Sequence, residues 1–361
     1  MTIPAIVSQH AEETAFLWSL RTGAVHRPHF ALRHLTDLDR RLEAHVDGLR
    51  IAGDDGWKIC QEVVPPEDAA AIFALASAAF ASEKDDRLND VVAAASADPT
   101  WERGLASAVA WLAPAFSAKT IGKLLAAPDP LRRRAAITAC ALIRLDPGRA
   151  LIDAAGAADP LLAARALRAL GELAKTEHLG FLQRHFDDKN PELRFWASWS
   201  AALLSTDPNA VARLKEIGAQ TGPRRSRAAD LAVRRMAPAE ASAWREKIAA
   251  DPKHHRFAVT LAGVIGDPAA VPWLLALMKE PLLARGAGEA FSFITGIDLE
   301  TEKLDAKKPE GFESGPTDNP EDPEVAMDED DDLPWPDPVK VVGRWNSIKG
   351  SLTPAKRYLL G

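Results

Sequence analysis

The sequence is poor in cysteine and aromatic residues, and it has no long apolar run. Its 361 residues include two cysteines, Cys60 and Cys140, which lie far apart. Such a pair forms neither a disulfide framework nor a metal-binding spacing, and it suits a reducing compartment. No stretch approaches the roughly 18 apolar residues of a membrane span, and the first residues lack the basic region of a signal peptide. These absences predict a cytoplasmic protein.

The sequence also lacks the short motifs that mark common catalytic sites. It has no glycine-rich phosphate loop, no Gly-x-Ser-x-Gly and no Cys-x-x-Cys. It contains no His-Glu dipeptide, and this argues against the helical-repeat hydroxylases that bind two irons through such pairs. The corresponding positions hold Gly171-Glu172 and Gly288-Glu289, and glycine has no side chain to ligate a metal. We therefore predict a protein that is not an enzyme and has no cofactor or metal site.

Histidines are concentrated near the start of the chain. A metal site there would pair His26 with His29, or His34 with His45, but neither pair matches a familiar ligand motif. We predict that these histidines, together with His10, are surface or packing residues.

Charge is unevenly distributed along the chain, whose net charge is −7. Residues 1–98 carry 9 basic and 16 acidic side chains, residues 99–290 carry 27 and 19, and residues 291–361 carry 8 and 16. The middle is therefore basic and both ends are acidic. Because a tethered segment acts at high effective concentration, this pattern predicts that the acidic tail can dock in a basic groove of the middle region.

Proline recurs at a nearly constant interval. Positions 99, 130, 160, 191, 223, 252 and 281 are separated by 29–32 residues, and most of these prolines follow Asp or Asn. Asp or Asn accepts a hydrogen bond from the free N–H groups at a helix start. Proline is tolerated at the first helical position, because an N–H there would have no partner within the helix. A second series, Pro147, Pro208, Pro238 and Pro268, divides the intervals, and the apolar residues between prolines follow helical spacing. The pattern predicts about six or seven antiparallel helix pairs stacked as an α-solenoid.

This repeat resembles HEAT repeats, in particular the short bacterial form that also occurs in phycobilisome lyases. The shared features are Asp-Pro, an arginine a few residues later, an Ala/Leu-rich helix, and Gly-Asp-Pro before a second helix. The segment AGVIGDPAAVPWLLAL at 262–277 is a close example. The resemblance covers about residues 66–290 and implies an all-α fold. It implies no particular function, because solenoids of this kind serve many roles.

The repeat arginines have two open interpretations. Each arginine, Arg165 among them, could pair with caps or carbonyls of a neighbouring repeat and so form a stabilising ladder. Asp159 would then be a helix cap. Alternatively, some could line a face that binds a partner. The candidate partner-binding residues are Arg134, Arg165, Arg194, Arg227, Arg256 and Arg285, together with Trp335 of the tail.

Three regions follow from these patterns. Residues 1–64 are predicted to form an N-terminal helical cap, because the first repeat of an array needs a cover. Within it, the spacing of leucines predicts a helix from Pro28 to Leu49, followed by a turn at Gly53–Gly56 before Trp57. Residues 65–295 form the HEAT-like solenoid. Residues 296–361 form an acidic, proline-rich and largely irregular tail with a candidate terminal helix.

The tail has nine acidic residues within 318–332, followed by LPWPDP, in which proline excludes helix. Three interpretations stay open for the acidic run. It could be solvated and mobile, or form a calcium loop, although its spacing is not that of an EF-hand. It could also lie in the basic groove with Trp335 as an anchor.

Nucleic-acid binding is the alternative to protein binding. With its basic middle region and tryptophans, the sequence is similar to HEAT-like alkylpurine glycosylases, which bind DNA. In this interpretation the acidic tail of the chain would mimic a polyanion. The overall negative charge argues against this alternative. Trp196 and Trp199, three residues apart on one predicted helix, are expected in the core.

Over nearly its full length the sequence resembles a proteobacterial HEAT-like family. The features are HAEETAFLWSLR and LDRRLEAHVDGLRIAG near the start, AFSFITGIDL after the repeats, and LPWPDP after an acidic stretch. Genes of that family often lie beside type VI secretion components, which implies a role in effector loading or as an immunity partner. The sequence thus predicts a non-catalytic scaffold or adaptor that binds a protein partner.

Overall fold

The computed structural model describes residues 2–27, 29–81, 84–112, 114–315, 321 and 326–361. The chain divides into two compact units, Met1–Ser205 and Thr206–Gly361. Much of the predicted acidic run, residues 318–320 and 322–325, lies outside the described residues.

The first unit is helical throughout its described part. Its helices are α1 (Pro4–Ala24), α2 (Leu32–Val63), α3 (Ala69–Ala81), α4 (Asp85–Ala95), α5 (Glu102–Trp111), α6 (Pro114–Leu125), α7 (Pro130–Ile143), α8 (Arg149–Ala155), α9 (Pro160–Glu172), α10 (Leu179–Gln183) and α11 (Pro191–Leu204). Helices α3, α5, α7, α9 and α11 form one row, in which each packs against the next. Helices α4, α6, α8 and α10 form a second layer on this row.

Small residues let the helices of this row approach closely. Gly104 of α5 faces α3 so tightly that a Cβ atom there would lie 2.0 Å from the carbonyl oxygen of Ala69. Around this contact, Ile72, Phe73 and Leu105 are completely buried. The alanine-rich composition therefore builds a core of closely spaced helices.

The N-terminal region differs in one detail from the sequence prediction. We expected a helix to Leu49 and then a turn at Gly53–Gly56, but α2 continues to Val63 with a kink at Gly53, whose φ is 57° and ψ −120°. The helix resumes because Trp57 and Cys60 extend the buried face of its first half. Gly53 therefore bends this helix without ending it.

The second unit repeats the two-layer arrangement. Its helices are α12 (Pro208–Ala219), α13 (Arg225–Arg235), α14 (Pro238–Ala249), α15 (His255–Ile265), α16 (Val271–Leu277), α17 (Pro281–Thr295) and α18 (Pro338–Ile348). Helices α13, α15 and α17 form a row, and α12, α14 and α16 pack on it. Two short strands, β1 (Asp305–Ala306) and β2 (Trp335–Pro336), pair antiparallel beside α17.

Part of the predicted tail belongs to the core of the second unit. Helix α18, the candidate terminal helix, packs against α16 and buries Val341 and Trp345. These two side chains share one hydrophobic cluster with Phe291, Leu299 and Leu304. Residues after the last helix pair thus cover the apolar face that this pair would otherwise leave exposed.

Helix starts follow the predicted capping chemistry. Asp159 accepts a hydrogen bond from the backbone N–H of Leu162 (2.7 Å), and Pro160 occupies the first helical position. An Asp or Asn cap followed by proline also opens α7, α11, α12 and α18. Where Gly222-Pro223 replaces Asp-Pro, α13 begins only at Arg225 without a side-chain cap, because glycine offers no acceptor.

The structure confirms the all-α prediction of stacked helix pairs, since consecutive pairs lie next to one another within each unit. Among the described residues, we find no helix with both the length and the apolar character that crossing a bilayer requires.

Candidate partner-binding site

Arg134 shows what the repeat arginines do in the first unit. It is buried and lies on α7, where its Nε donates to Glu102 Oε2 of α5 (2.7 Å). Its Nη1 lies 3.7 Å from Oδ1 of the helix cap Asp159 in the next repeat. Burial raises the pKa of Glu102 although Arg134 acts in the opposite direction. Arg134 therefore joins three consecutive repeats by interactions inside the array.

Arg165 and Arg194 also bond within the first unit. Arg165 Nε donates to Thr138 Oγ1 of the preceding repeat (2.8 Å), and its Nη1 lies 2.9 Å from Glu172 Oε2. Burial lowers the pKa of Arg165. Arg194 Nη1 donates to the carbonyl oxygen of Asp188 just before its own helix (2.6 Å). In this unit the row follows the ladder interpretation.

The repeat arginines of the second unit differ from these in their surroundings. Arg227 is exposed on α13. Arg256 on α15 binds the acidic run of the tail, which we call the acidic loop over its described residues 328–332. Both Nη atoms of Arg256 donate to the carboxylate of Asp330, each at 2.9 Å, in a bidentate pair. The hydrogen bonds to Asp330 raise the pKa of Arg256.

Arg285 on α17 also binds the acidic loop. Only 5% of its side chain is exposed. Its Nη2 donates to Asp328 Oδ2 (2.6 Å), and its Nη1 donates to the carbonyl oxygen of Asp330 (2.9 Å). Burial alone would raise the pKa of Asp328, but the bonds from Arg285 and from the Asp330 N–H lower it below its usual value.

Aromatic side chains complete the contact around Arg285. The guanidinium carbon lies 4.5 Å from the centre of the Trp335 ring, at cation–π distance, and Trp335 meets Phe312 edge to face. The next residue, Pro336, is buried close to Gly288, where an added Cβ would come within 3.5 Å of the proline ring. LPWPDP therefore sits against α17, and Trp335 is the anchor of the segment.

The last residues of the chain cross the same helix row. The Tyr358 N–H donates to the carbonyl oxygen of Gly266, the residue that follows α15 (2.9 Å). The Leu360 N–H donates to the carbonyl oxygen of Phe293 in α17 (2.7 Å). Gly266 has a φ of +73°, and a Cβ there would lie 2.1 Å from the carbonyl oxygen of Tyr358. A helix-ending glycine thus also makes room for the C-terminal segment.

The acidic loop and the C-terminal segment enclose a pocket of about 260 Å³ on the face of α15 and α17. We call it the α15–α17 pocket. Apolar and small side chains predominate in it, and four of its lining residues are charged. Its lining comprises Arg234, Arg256, Val259, Thr260, Gly263, Val264, Leu283, Gly286, Glu289, Ala290, Phe293, Asp330, Leu333 and Leu359.

The histidines form no metal centre in the described part of the chain, where no group of three or more His, Cys, Asp or Glu side chains is placed to hold an ion. His10 and His45, from α1 and α2, lie with their Nδ1 atoms 3.1 Å apart. Burial, and then the neighbouring His10, lower the pKa of His45.

Comparison with known families supports the assignment of the repeats. Residues 148–234 match the family model of HEAT repeats. This segment is similar to HEAT repeats. Arrays of such repeats commonly bind proteins along their extended surfaces. Comparisons with curated proteins and with solved structures gave no significant match.

The sequence indicated the arginine row and Trp335 as candidates for partner binding, which stays a prediction, and it did not separate the roles of these residues. It missed Phe312, Glu289 and the C-terminal segment. Gly266 and Gly296 were a usable sequence signal for the path of the C-terminal segment. Each of these glycines ends a helix with a positive φ and lies beneath that segment. Phe312 has no comparable signal, since it lies in an irregular segment whose path depends on Arg285.

Proposed function

We propose that this protein is a non-catalytic adaptor that binds a protein partner on the row formed by α13, α15 and α17. Its own acidic loop would compete with the partner for this face. The observation that carries the proposal is the bidentate pair between Arg256 and Asp330, together with the contacts of Arg285 to Asp328 and Trp335.

The contrast between the two units supports this proposal. Arg134 and Arg165 form hydrogen bonds with side chains of their own helix row, so their guanidinium groups already have partners inside the array. Arg256 and Arg285 instead bind a segment that lies over forty positions away along the chain. A second peptide with carboxylates and an aromatic anchor could make the same charge-assisted contacts. The proposed partner therefore presents an acidic segment with an aromatic residue.

Exposed apolar side chains next to these arginines extend the proposed surface. Leu282 and Phe293 on α17 are 69% and 40% exposed, and Leu359 and Leu360 at the end of the chain are 68% and 66% exposed. Clustered apolar residues of this kind often mark protein-binding surfaces. A partner segment would thus combine charge pairing with apolar burial.

The similarity of the sequence to a HEAT-like family encoded near type VI secretion genes suggests a setting for this activity. We propose that the partner is an effector or a structural component of such a system, and that the protein loads the effector or neutralises it. Nucleic-acid binding is the competing function, and a titration of the same two protein forms with duplex DNA separates the two.

The test is affinity capture from cells of the native host with two forms of the full chain. One is the wild type, and the other is an Asp328→Asn/Asp330→Asn double variant, in which the loop loses both carboxylates bound by the arginines. We expect the double variant to enrich a protein partner more strongly than the wild type, with secretion components among the enriched proteins.

Equal recovery with both forms would contradict competition by the loop. If the double variant instead gained affinity for duplex DNA, with a steep dependence on salt, nucleic-acid binding would replace the adaptor proposal.

A further inference from the structure

The α15–α17 pocket is lined by two arginines and two carboxylates, and only one of these four side chains has no ion-pair partner among the described residues. Two of its charged residues already have partners: Arg256 forms the bidentate pair with Asp330, and Arg234 lies 3.1 Å from Asp230. Glu289, in the middle of α17, has neither a hydrogen bond nor an ion pair with any residue that the structure describes. One carboxylate therefore remains without a counter-charge in a largely apolar pocket.

A carboxylate in such a place favours a ligand that supplies a positive charge. Burial, and then the nearby Asp298, raise the pKa of Glu289. A bound ammonium group would pair with this carboxylate through a charge-assisted hydrogen bond. An anionic ligand would meet repulsion from the same carboxylate.

The walls of the pocket define the rest of the ligand. The apolar side chains of Val259, Val264, Leu283, Phe293 and Leu333 surround it. Its volume of about 260 Å³ exceeds the roughly 150 Å³ cavity that holds a benzene molecule. It lies just under the size of pockets that take drug-sized ligands. The space therefore suits a single ring or a short aliphatic chain.

We infer that the α15–α17 pocket binds a small organic amine, whose apolar body fills the space between the two helices and whose ammonium group pairs with Glu289. The site is separate from the contacts of Arg285 with the loop. Because Asp330 and Leu333 also line the pocket, a bound amine would contact the acidic loop in its docked position.

The test uses the full chain and three probes of similar shape: phenethylamine, 2-phenylethanol and 3-phenylpropanoate. Binding is measured by ligand-observed NMR and calorimetry in the same buffer for all three probes. We expect the amine to bind most tightly, the alcohol more weakly and the carboxylate least. No partner protein is needed, so the result is independent of the proposed adaptor function.

Two variants locate the binding. Glu289→Gln keeps the shape of the side chain and removes its charge, and it should weaken amine binding about tenfold or more while changing alcohol binding little. Gly286→Leu should abolish binding of all three probes. A Cβ at Gly286 would meet only Val259 Cγ1 at 3.8 Å, so the added side chain can fill the pocket without a clash with the backbone.

Several results would overturn the assignment. Equal amine affinity of the wild type and Glu289→Gln would remove the role of the carboxylate. Tighter binding of the carboxylate probe would reverse the inferred charge. Binding that persists in Gly286→Leu would place the amine elsewhere. If a lysine-containing peptide bound at Glu289 and the free amines did not, the pocket would be a subsite for a protein partner, and the small-molecule assignment would be wrong.

Discussion

The acidic loop is predicted to open when Asp328 loses its charge. In the wild type, Arg285 Nη2 donates to Asp328 Oδ2 at 2.6 Å, and the two side chains are only 5% and 12% exposed. Hydrogen bonds to charged groups contribute about 1.5–3 kcal/mol. Because Arg285 keeps the Asp330 carbonyl and Trp335, we expect Asp328→Asn to destabilise the docked loop by about 2 kcal/mol.

This loss has a measurable kinetic consequence. At about 1.4 kcal/mol per tenfold change, the open population of the loop should rise about 30-fold. Limited proteolysis tracks the open population when opening is faster than cleavage. The rate of cleavage within residues 326–333, followed by mass spectrometry, should therefore rise by one to two orders of magnitude, while the helices stay intact.

The matched control is Asp331→Asn, which makes the same charge change in the same loop. Asp331 is exposed, and no side-chain partner is observed for it among the residues that the structure describes. We expect its cleavage rate to stay within about a factor of two of the wild type. Similar acceleration in both variants would show that overall charge, and not the Arg285 contact, holds the loop, and an unchanged rate in Asp328→Asn would refute the reasoning.

Two further predictions concern the first unit. Gly104→Ala should lower the free energy of unfolding by about 1–3 kcal/mol in urea titrations, because the new Cβ would lie 2.0 Å from the Ala69 carbonyl oxygen. Gly122→Ala, at an exposed helical position with no heavy atom within 4 Å, should be neutral or slightly stabilising, and equal losses in both would argue against the α3–α5 contact. Because the pKa of His45 is lowered from 6.5 in the folded state by burial and by His10, the unfolded chain binds more protons below that pH, and stability should fall as pH decreases from 6.5 towards the lowered pKa. The urea midpoint of His45→Gln should depend less on pH in this window, and an identical pH dependence of the two proteins would be evidence against the prediction.

The fold was largely predictable because each local signal agreed with the others. Asp159 and Pro160 specify a helix start by chemistry that does not depend on the rest of the chain. The constant proline interval then predicts that equivalent helices lie side by side. The kink in α2 was harder to predict, because Gly53 alone does not reveal that Trp57 and Cys60 continue the same buried face.

The site was predictable only in outline. The charge difference between the middle and the tail indicated that the tail could dock, and Trp335 was the natural anchor. The choice of Asp328 and Asp330 was not readable, because the run contains nine acidic residues with similar neighbours. Their role depends on the path of the loop over Arg256 and Arg285, which is a property of the packed structure. The isolation of Glu289 depends on the same path.

The most direct test of the arginine face as a binding surface is a titration with the loop sequence as a separate peptide. A labelled peptide spanning residues 326–333 is added to the full-length wild type and to the Asp328→Asn/Asp330→Asn variant, and binding is followed by fluorescence anisotropy. The peptide should bind the variant at least tenfold more tightly, because the wild-type loop already occupies Arg256 and Arg285. Equal affinity for the two proteins, or no binding to either, would contradict the proposal that this face accepts an acidic segment from a partner.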